Sequence, residues 1–194
     1  MYEVLDRYIE TKSKQQLTDE EREQIHSKFK LKRYRKRQYF LQEGDICKHV
    51  AFVVKGAARM FSVDEKGIEH IVRFLLEQWW LGDLESVRQG TPSHYNIELL
   101  ENAELLVIST ADAFELRDKC RPFDLMFTAV DYQANIAAQK RIHAAISLTA
   151  EERYEELVKT YPEFIQRFPQ NMIASYLGLS PETLSRIRKH MLNK

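Results

Sequence analysis

The chain has 194 residues, and its 29 basic and 29 acidic side chains give a formal net charge of zero. The length fits one large or two small domains, and a neutral chain is not suited to coating nucleic acid over its whole surface. Hydrophobic residues make up 44% of the sequence, which is enough for a real core. No apolar run reaches the about 18 residues that indicate a membrane span. We therefore expect a soluble protein with no membrane partner.

The two cysteines, Cys47 and Cys120, lie far apart and outside any CxxC or Cys/His cluster. This spacing argues against a zinc or iron–sulfur site, so neither a metal nor a cofactor is expected. Residues 1–14 (MYEVLDRYIETKSK) are typical of a charged amphipathic helix rather than a secretory leader. Free thiols without a leader predict a cytoplasmic protein.

The N-terminal part of the chain changes from helical to strand periodicity. Residues 2–12 predict a short helix, and Thr18 with Glu21 forms a capping box that opens a second helix. Across residues 28–109, short apolar segments alternate with turn residues such as Gly67. Short strands with turn signals at intervals of about 8–12 residues are typical of an antiparallel sandwich or barrel. We therefore predict a β-sandwich of jelly-roll type.

A basic run accompanies the first predicted strand. Its members are Lys28, Lys30, Lys32, Arg33, Arg35, Lys36 and Arg37. One interpretation is a second nucleic-acid surface. The alternative, which we favour, is a solvated strand at the edge of a sheet, where charges also prevent aggregation through the edge.

Helical spacing replaces the strand pattern beyond Thr110. Residues 111–120 predict a short helix, and residues 123–147 predict a long one with a 3–4 apolar spacing that includes Phe127 and Val130. Alanine side chains along the long helix would let a twin helix approach closely, which favours a two-stranded coiled coil and a homodimer. The alternative is a helix that lies on the sandwich.

A break near residue 148 divides this helix from the C-terminal region. Thr149 and Glu152 form another capping box, so a new helix begins there and ends before Pro162. The expected organisation is an effector domain over residues 1–121, a dimerisation helix over 122–148 and a C-terminal domain over 149–194.

The segment QNMIASYLGLSPETLSRIRK, residues 170–189, has the spacing of a helix-turn-helix. Ala174 permits close helix packing, and Gly178, four residues later, can adopt the positive φ of a turn. Ser180 is a suitable N-cap, and Pro181 falls at the first helical position, where its missing N–H costs nothing. An ordinary helical hairpin would show the apolar spacing but would not need these residues at these offsets.

The second helix of this motif would fit the major groove of DNA and read base edges with its N-terminal residues. Apolar side chains at Ile173, Leu177, Leu179, Leu184 and Ile187 would hold the two helices together. The predicted DNA-binding residues are Gln170, Ser180, Pro181, Glu182, Thr183, Ser185, Arg186, Arg188 and Lys189. The partner is therefore predicted to be double-stranded DNA.

A sandwich, a long helix and a C-terminal helix-turn-helix together resemble the Crp/Fnr family of bacterial transcription regulators. Further matching segments are FLQEGD at 40–45, VKGAAR at 54–59 and LGDLES at 81–86. The resemblance implies an α+β fold with a cyclic-nucleotide-binding-like sandwich and a homodimer whose DNA binding responds to an effector. That effector is an unidentified small molecule, and RNA polymerase is a possible further partner.

The recognition helix resembles the Fnr type through Glu182 and Ser185-Arg186. Glutamate can accept from a cytosine amino group, and arginine can hold guanine O6 and N7 bidentately. Position 181 is proline, where catabolite-activator-like members carry a second base-reading arginine. The resemblance therefore implies TTGA-like half-sites.

The effector site departs from the family pattern. The predicted pocket comprises Gly82, Asp83, Leu84, Glu85, Arg88, Ser93 and His94. Family members use Gly-Glu for the ribose, then an Arg and a Ser or Thr for the cyclic phosphate. Here Asp83 shortens the acid, and the Arg position falls near Ser93, with only Arg88 close by to substitute. We expect no tight binding of cyclic AMP, and no oxygen-sensing cysteine cluster precedes Cys47.

Three further expectations complete the sequence-based interpretation. The family's β-hairpin wing would be truncated, because the sequence ends at Lys194. An enzyme on a cupin-like barrel is not expected, since His49, His70 and His94 lack HxH spacing. The alternative function is an effector-sensing sandwich that acts through protein partners, with weak or vestigial DNA binding.

Overall fold

The computed structural model describes residues 2–192. The N-terminal helices are α1 (Tyr2–Ser13) and α2 (Asp19–Lys28). The predicted capping box is confirmed, since the Thr18 hydroxyl accepts from the Glu21 amide at 3.2 Å and Glu21 Oε2 accepts from the Thr18 amide at 2.9 Å. Helix α2 therefore begins as the local sequence predicts.

The middle of the chain forms the predicted antiparallel sandwich. Its strands are β1 (Lys30–Tyr34), β2 (Tyr39–Leu41), β3 (His49–Lys55), β4 (Ala58–Val63), β5 (Glu69–Leu75), β6 (Trp80–Leu81), β7 (Asn96–Leu99) and β8 (Ala103–Ser109). One sheet has the order β1-β8-β3-β6 and the other the order β2-β7-β4-β5. Most neighbouring strands are distant in sequence, whereas β4 and β5 are consecutive.

The C-terminal half is helical, with a helix also between β6 and β7. These elements are α3 (Leu84–Gln89), α4 (Thr110–Lys119), α5 (Arg121–Ser147), α6 (Ala150–Thr160), α7 (Pro162–Arg167), α8 (Gln170–Leu177) and α9 (Pro181–Leu192). Helix α5 begins two residues earlier than predicted, because Pro122 is tolerated in a first helical turn. Among residues 2–192 no strand follows α9. The end of the predicted wing region, at Lys194, lies outside the described residues.

The basic run lies on and beside β1, which is an edge strand of its sheet. This placement agrees with the interpretation of a charged, solvated edge. At its start, Lys28 Nζ forms two ion pairs of 2.8 Å, with Asp112 and Glu115. These contacts join the end of α2 to α4.

Two hydrophobic clusters occupy the two faces of the β3-containing sheet. Phe52, Leu106 and Trp80 pack with the N-terminal helices and the start of α5, whereas Val53 and Leu105 face the interior of the sandwich. The alternation follows the two-residue period of a strand. Trp79 packs against the interior cluster, so Trp79 and Trp80 lie on opposite faces of the sheet.

Packing divides the chain into two compact units that differ from the predicted domains. One unit comprises residues 1–60 and 74–134, and the other comprises 61–73 and 135–194. The division falls within α5, whereas the sequence predicted boundaries at 121 and 148. The physical reason for grouping residues 61–73 with the C-terminal region is a set of hydrogen bonds to α8: Ser175 Oγ accepts from the Ile71 amide at 3.0 Å and donates to the Glu69 carbonyl at 3.0 Å.

Within the second unit, α6 to α9 share a small apolar core. Its buried members are Tyr154, Leu157, Phe164, Phe168, Ile173, Ala174, Leu184 and Ile187. The predicted capping box at the start of α6 is confirmed, with Thr149 Oγ1 accepting from the Glu152 amide at 3.2 Å. None of the helices described has the length and apolar character needed to cross a membrane.

Candidate nucleic-acid interface and effector cassette

The turn between α8 and α9 has the geometry that the sequence predicts. Gly178 has φ 67°, in the left-handed region that glycine adopts without a Cβ clash. The Leu179 amide donates to the Ala174 carbonyl at 2.8 Å, which closes the end of α8. Ala174 is completely buried, so a larger side chain there would separate the helices.

The first turn of α9 is held by Ser180. Its Oγ accepts from the Thr183 amide at 3.2 Å, and Pro181 is the first helical residue. Leu184 and Ile187 are buried one turn apart and fix the inner face of the helix. The predicted helix-turn-helix is therefore confirmed as a structural motif.

The opposite face of α9 is open to solvent. Glu182, Ser185, Arg186 and Lys189 are exposed, together with Gln170, Ser180 and Pro181, while Thr183 and Arg188 are partly exposed. Arg186 Nη2 lies 3.4 Å from Thr183 Oγ1, a hydrogen bond that orients the guanidinium along the helix. Glu182, Ser185, Arg186 and Lys189 follow helical spacing and therefore share one exposed face of α9.

Local contacts favour the charged form of Glu182, the acidic residue of this surface. The pKa of Glu182 is lowered by its own backbone N–H, by the Ser180 hydroxyl and by nearby Arg186. The carboxylate is consequently an ionised acceptor at neutral pH, and the adjacent guanidinium supplies only donors. An acceptor beside a forked donor is chemically suited to the edges of a C·G and a G·C pair.

One supporting residue was missed by the sequence reasoning. Arg153 on α6 donates from Nη1 to the Leu177 carbonyl at 2.8 Å. A cation at this carbonyl satisfies the C-terminal end of α8 and complements the helix dipole. No local signal identifies this role, because the two residues are 24 positions apart.

In the predicted effector pocket, which we call the cassette, the polar side chains of Asp83 and Ser93 hydrogen-bond within the protein. Asp83 is buried, caps α3 by accepting from the Glu85 amide at 3.1 Å, and accepts from Ser93 Oγ at 2.8 Å. Ser93 is also buried, with its hydroxyl bonded to the Tyr95 amide at 3.1 Å. The acid and the hydroxyl that would meet a ribose and a phosphate are therefore bonded to each other.

The other predicted cassette residues do not join this pair. Arg88 Nη2 is bound to Asp131 on α5 at 2.7 Å, so its guanidinium is held by another carboxylate rather than by the Asp83–Ser93 pair. His94, Leu84 and Glu85 are exposed. Gly82 is needed for close approach, because a Cβ there would lie 2.9 Å from Val50 Cγ1.

A buried ion pair in the sandwich also escaped the sequence analysis. Arg59 Nε and Glu98 Oε2 are 2.7 Å apart, and both side chains are buried. Their neighbours Met60 and Ile97 belong to the interior cluster, so the pair lies on the opposite face of the sheet. Strand alternation alone assigns that face to solvent, which is why the pair was not predicted.

Helix α5 carries apolar side chains on its exposed surface. Tyr132, Ile136, Ile142 and Ile146 are exposed by 68%, 37%, 60% and 80%. Phe127 and Val130 are partly buried and pack against the cluster beside the sandwich, so these two positions of the predicted seam already have contacts within one chain. The later part of α5 carries the more exposed apolar side chains.

No group of His, Cys, Asp and Glu residues suited to a metal ion occurs among residues 2–192. Cys47 and Cys120 are buried, and burial raises the pKa of both thiols. Both cysteines therefore carry neutral, poorly reactive thiols.

Comparisons with known proteins agree with this architecture. Residues 31–120 match the family model of the cyclic nucleotide-binding domain. Residues 31–120 are therefore similar to this domain, and with the C-terminal helices the chain has the fold of Crp/Fnr-type regulators. The predicted resemblance is confirmed at this level.

Three solved structures illustrate the similarity. FixK2 from Bradyrhizobium japonicum has a TM-score of 0.71 and 19% identity, with 85% of each chain covered. The c-di-GMP responsive global regulator CLP from Xanthomonas campestris has a TM-score of 0.70 and 16% identity, covering 91% of this chain and 92% of CLP. A CooA mutant from Carboxydothermus hydrogenoformans has a TM-score of 0.72 and 16% identity, covering 87% of this chain and 78% of CooA. No curated protein matches the sequence.

Proposed function

We propose that this protein is a homodimeric transcription regulator that reads a palindromic DNA site through α9, and that it acts in the cytoplasm without cyclic AMP. The observation that carries the proposal is the exposed set on α9, with Glu182 and Arg186 one turn apart on a helix whose inner face is buried. A structural hairpin has no need to keep an acceptor and a forked donor outward on one turn. DNA reading requires that arrangement.

Dimerisation is supported by the later part of α5. Ile142 and Ile146 are among the most exposed large apolar side chains of the described residues. Burying such a stripe against the same helix of a second copy would remove it from water and place two reading helices in one particle. Two-fold symmetry then predicts half-sites about one helical turn of DNA apart.

Independence from cyclic AMP is supported by the cassette. A buried phosphate needs a neutralising cation, and arginine provides it bidentately. Ser93 occupies the expected position and is bonded to Asp83, while Arg88 is bound to Asp131. Isothermal titration with cyclic AMP should show no micromolar binding, and binding of that strength would contradict this part of the proposal.

The decisive experiment is selection of bound sites from random duplex DNA with purified protein and no added ligand. We expect a palindrome with TTGA-like half-sites. Arg186→Ala should weaken binding to that site by roughly 1–3 kcal/mol and relax selection at one G·C pair.

Lys159→Ala is the matched control for this substitution. Lys159 is an exposed cation in the last turn of α6, outside the helix-turn-helix. Its loss should leave the selected sequence unchanged. If no sequence is enriched, or if Arg186→Ala enriches the same site as strongly, α9 does not read bases and the alternative of a sandwich acting through protein partners gains support.

A further inference from the structure

The turn that joins α8 to α9 depends on one peptide unit, the one between Leu177 and Gly178. Rotation of this unit changes the φ of Gly178, which is 67°, and with it the direction in which the chain leaves the turn. The N–H side of the unit is held locally, because the Gly178 amide donates to the Ser175 carbonyl at 3.0 Å. The placement of α9 therefore depends on what holds the carbonyl side.

Arg153 of α6 holds that carbonyl. Its Nη1 donates to the Leu177 carbonyl at 2.8 Å, although the two residues are 24 positions apart. The guanidinium also lies beside the turn, since a Cβ added at Gly178 would be 3.8 Å from Nη1. The carbonyls of Ala174 and Ser175, in the same last turn of α8, accept from amides of the turn itself. The Leu177 carbonyl instead depends on a different helix.

Helix α6 is an anchored support for this contact. Thr149 and Glu152 cap its first turn, and the Arg153 amide donates to the Thr149 carbonyl at 3.0 Å. Tyr154 and Leu157 are buried in the core that α6 to α9 share. Because the side chain of Arg153 starts from this anchored backbone, α6 sets the place at which its guanidinium meets the turn.

Packing alone does not explain an arginine at this position. The Nε atom of Arg153 is buried and has no hydrogen-bond partner within residues 2–192. A buried donor without a partner is destabilising, and an apolar side chain of the same length would fill the space without it. Departures from the most stable choice are expected where a residue serves function. The bond from Nη1 to the turn carbonyl is the contact that an apolar side chain could not make.

We propose that Arg153 is a positioning residue for base reading by α9. By fixing the peptide between Leu177 and Gly178, it sets the angle at which Glu182 and Arg186 meet the base edges. The inference rests on the proposed DNA-binding function, because placement of α9 affects affinity only if α9 reads bases. Arg153 acts through the turn and requires no contact with DNA.

The first test compares affinity for two duplexes of equal length, the palindromic site that the parent selects and a random sequence. Arg153→Met keeps an unbranched apolar stem but removes the donor. It should bind the selected site roughly tenfold more weakly, because a reading side chain must be held within about 0.5 Å of its productive position. The random duplex should be bound as by the parent, since its contacts are to phosphates and carry no sequence information.

Two further variants separate the donor from packing and from charge. Arg153→Lys should recover most of the affinity for the selected site, because one hydrogen bond to a carbonyl requires one donor and an ammonium provides it. Lys159→Met removes an exposed cation from the same helix and should bind both duplexes as the parent does.

The second measurement, amide hydrogen exchange of the full chain without DNA, reports on the turn whether or not α9 reads bases. The Leu179 amide donates to the Ala174 carbonyl at 2.8 Å across the turn. In Arg153→Met the amides of Gly178 and Leu179 should exchange faster than in the parent, whereas the amide of Leu157 in the core should not. Arg153→Lys should restore slow exchange at the turn.

Three outcomes would overturn the proposal. The first is binding of the selected site by Arg153→Met as tightly as by the parent. The second is equally faster exchange at Gly178 and Leu157, which would show a general loss of stability. The third is weaker binding to both duplexes with a salt slope reduced by about one, which would assign Arg153 to a DNA phosphate.

Failure of the proposed function would look different. A parent that selects no sequence, together with faster exchange confined to the turn in Arg153→Met, would contradict base reading by α9. The same result would support the placement of the turn by Arg153.

Discussion

The sandwich cassette and the outer face of α9 treat their polar groups in opposite ways. In the cassette, Asp83 and Ser93 are buried and bonded to each other. On α9, Glu182 and Arg186 are exposed, and only weak contacts within the helix orient them. A region that must accept a ligand keeps donors and acceptors available, whereas a structural region satisfies them internally.

The contrast between the cassette and α9 shows that the fold alone does not assign a function to either region. The cyclic nucleotide-binding domain is present as an architecture, yet the two residues expected to meet a nucleotide hold the loop together instead. Function is argued from the groups that remain open. Here they are on the outer face of α9.

The largest expected effect comes from breaking the closed cassette. Asp83→Ala removes the N-cap of α3 and leaves the buried Ser93 hydroxyl without its acceptor. The free energy of unfolding in urea should fall by about 3 kcal/mol, combining the loss of a cap with an unsatisfied buried group. DNA affinity below the unfolding transition should not change.

Glu85→Ala is the control for that variant, since Glu85 is the exposed neighbour in the same helical turn. Its effect on unfolding should stay within about 0.5 kcal/mol. An Asp83→Ala protein as stable as the parent would mean that the cassette is not a structural element. It would then remain a candidate ligand site.

How far the sequence could predict this contrast depends on the range of the interactions. The capping boxes at Thr18 and Thr149 and the Gly178 turn were predicted, because each depends on residues within one helical turn. Local backbone chemistry is visible in a single sequence.

The interactions that were missed all join distant segments. Arg59 and Glu98 are 39 positions apart and meet because β4 and β7 are neighbours in a sheet whose order is not sequential. The same holds for Arg141, which donates to the carbonyl of Val72, 69 positions away. A single sequence contains no signal for such pairings.

Two glycine substitutions, one in the sandwich and one in the helix-turn-helix, are expected to have effects of intermediate size. Gly90 and Gly178 both end a helix, with φ of 68° and 67°. An added Cβ meets nothing within 4 Å at Gly90 and only Arg153 Nη1, at 3.8 Å, at Gly178. Alanine at either position should therefore cost about 1 kcal/mol of stability through backbone strain alone.

The two glycine variants should differ in DNA affinity. Gly178→Ala strains the turn that sets the angle between α8 and α9, so specific binding should weaken severalfold in a gel-shift titration. Gly90→Ala lies in the sandwich unit and should bind the same duplex as the parent does. Equal losses in both variants would show that stability, rather than the turn, governs binding.

The smallest expected effect is the pH dependence contributed by Glu182. Its pKa is lowered by its own backbone N–H, the Ser180 hydroxyl and Arg186, so these contacts favour the charged carboxylate. A carboxyl whose pKa is depressed in the folded state adds stability above its unfolded value, about 4.3, and loses it as the pH falls through the folded value. Between about pH 5 and 8 the acceptor is therefore always ionised.

Selection for cytosine opposite Glu182 should then be constant across this range, measured by competition between matched and substituted duplexes. Glu182→Gln should lose that selection at every pH, because an amide can donate as well as accept. If selection by the parent declined between pH 7 and 5 while Glu182→Gln stayed flat, the carboxyl would be titrating and the contacts at the start of α9 would not hold it charged.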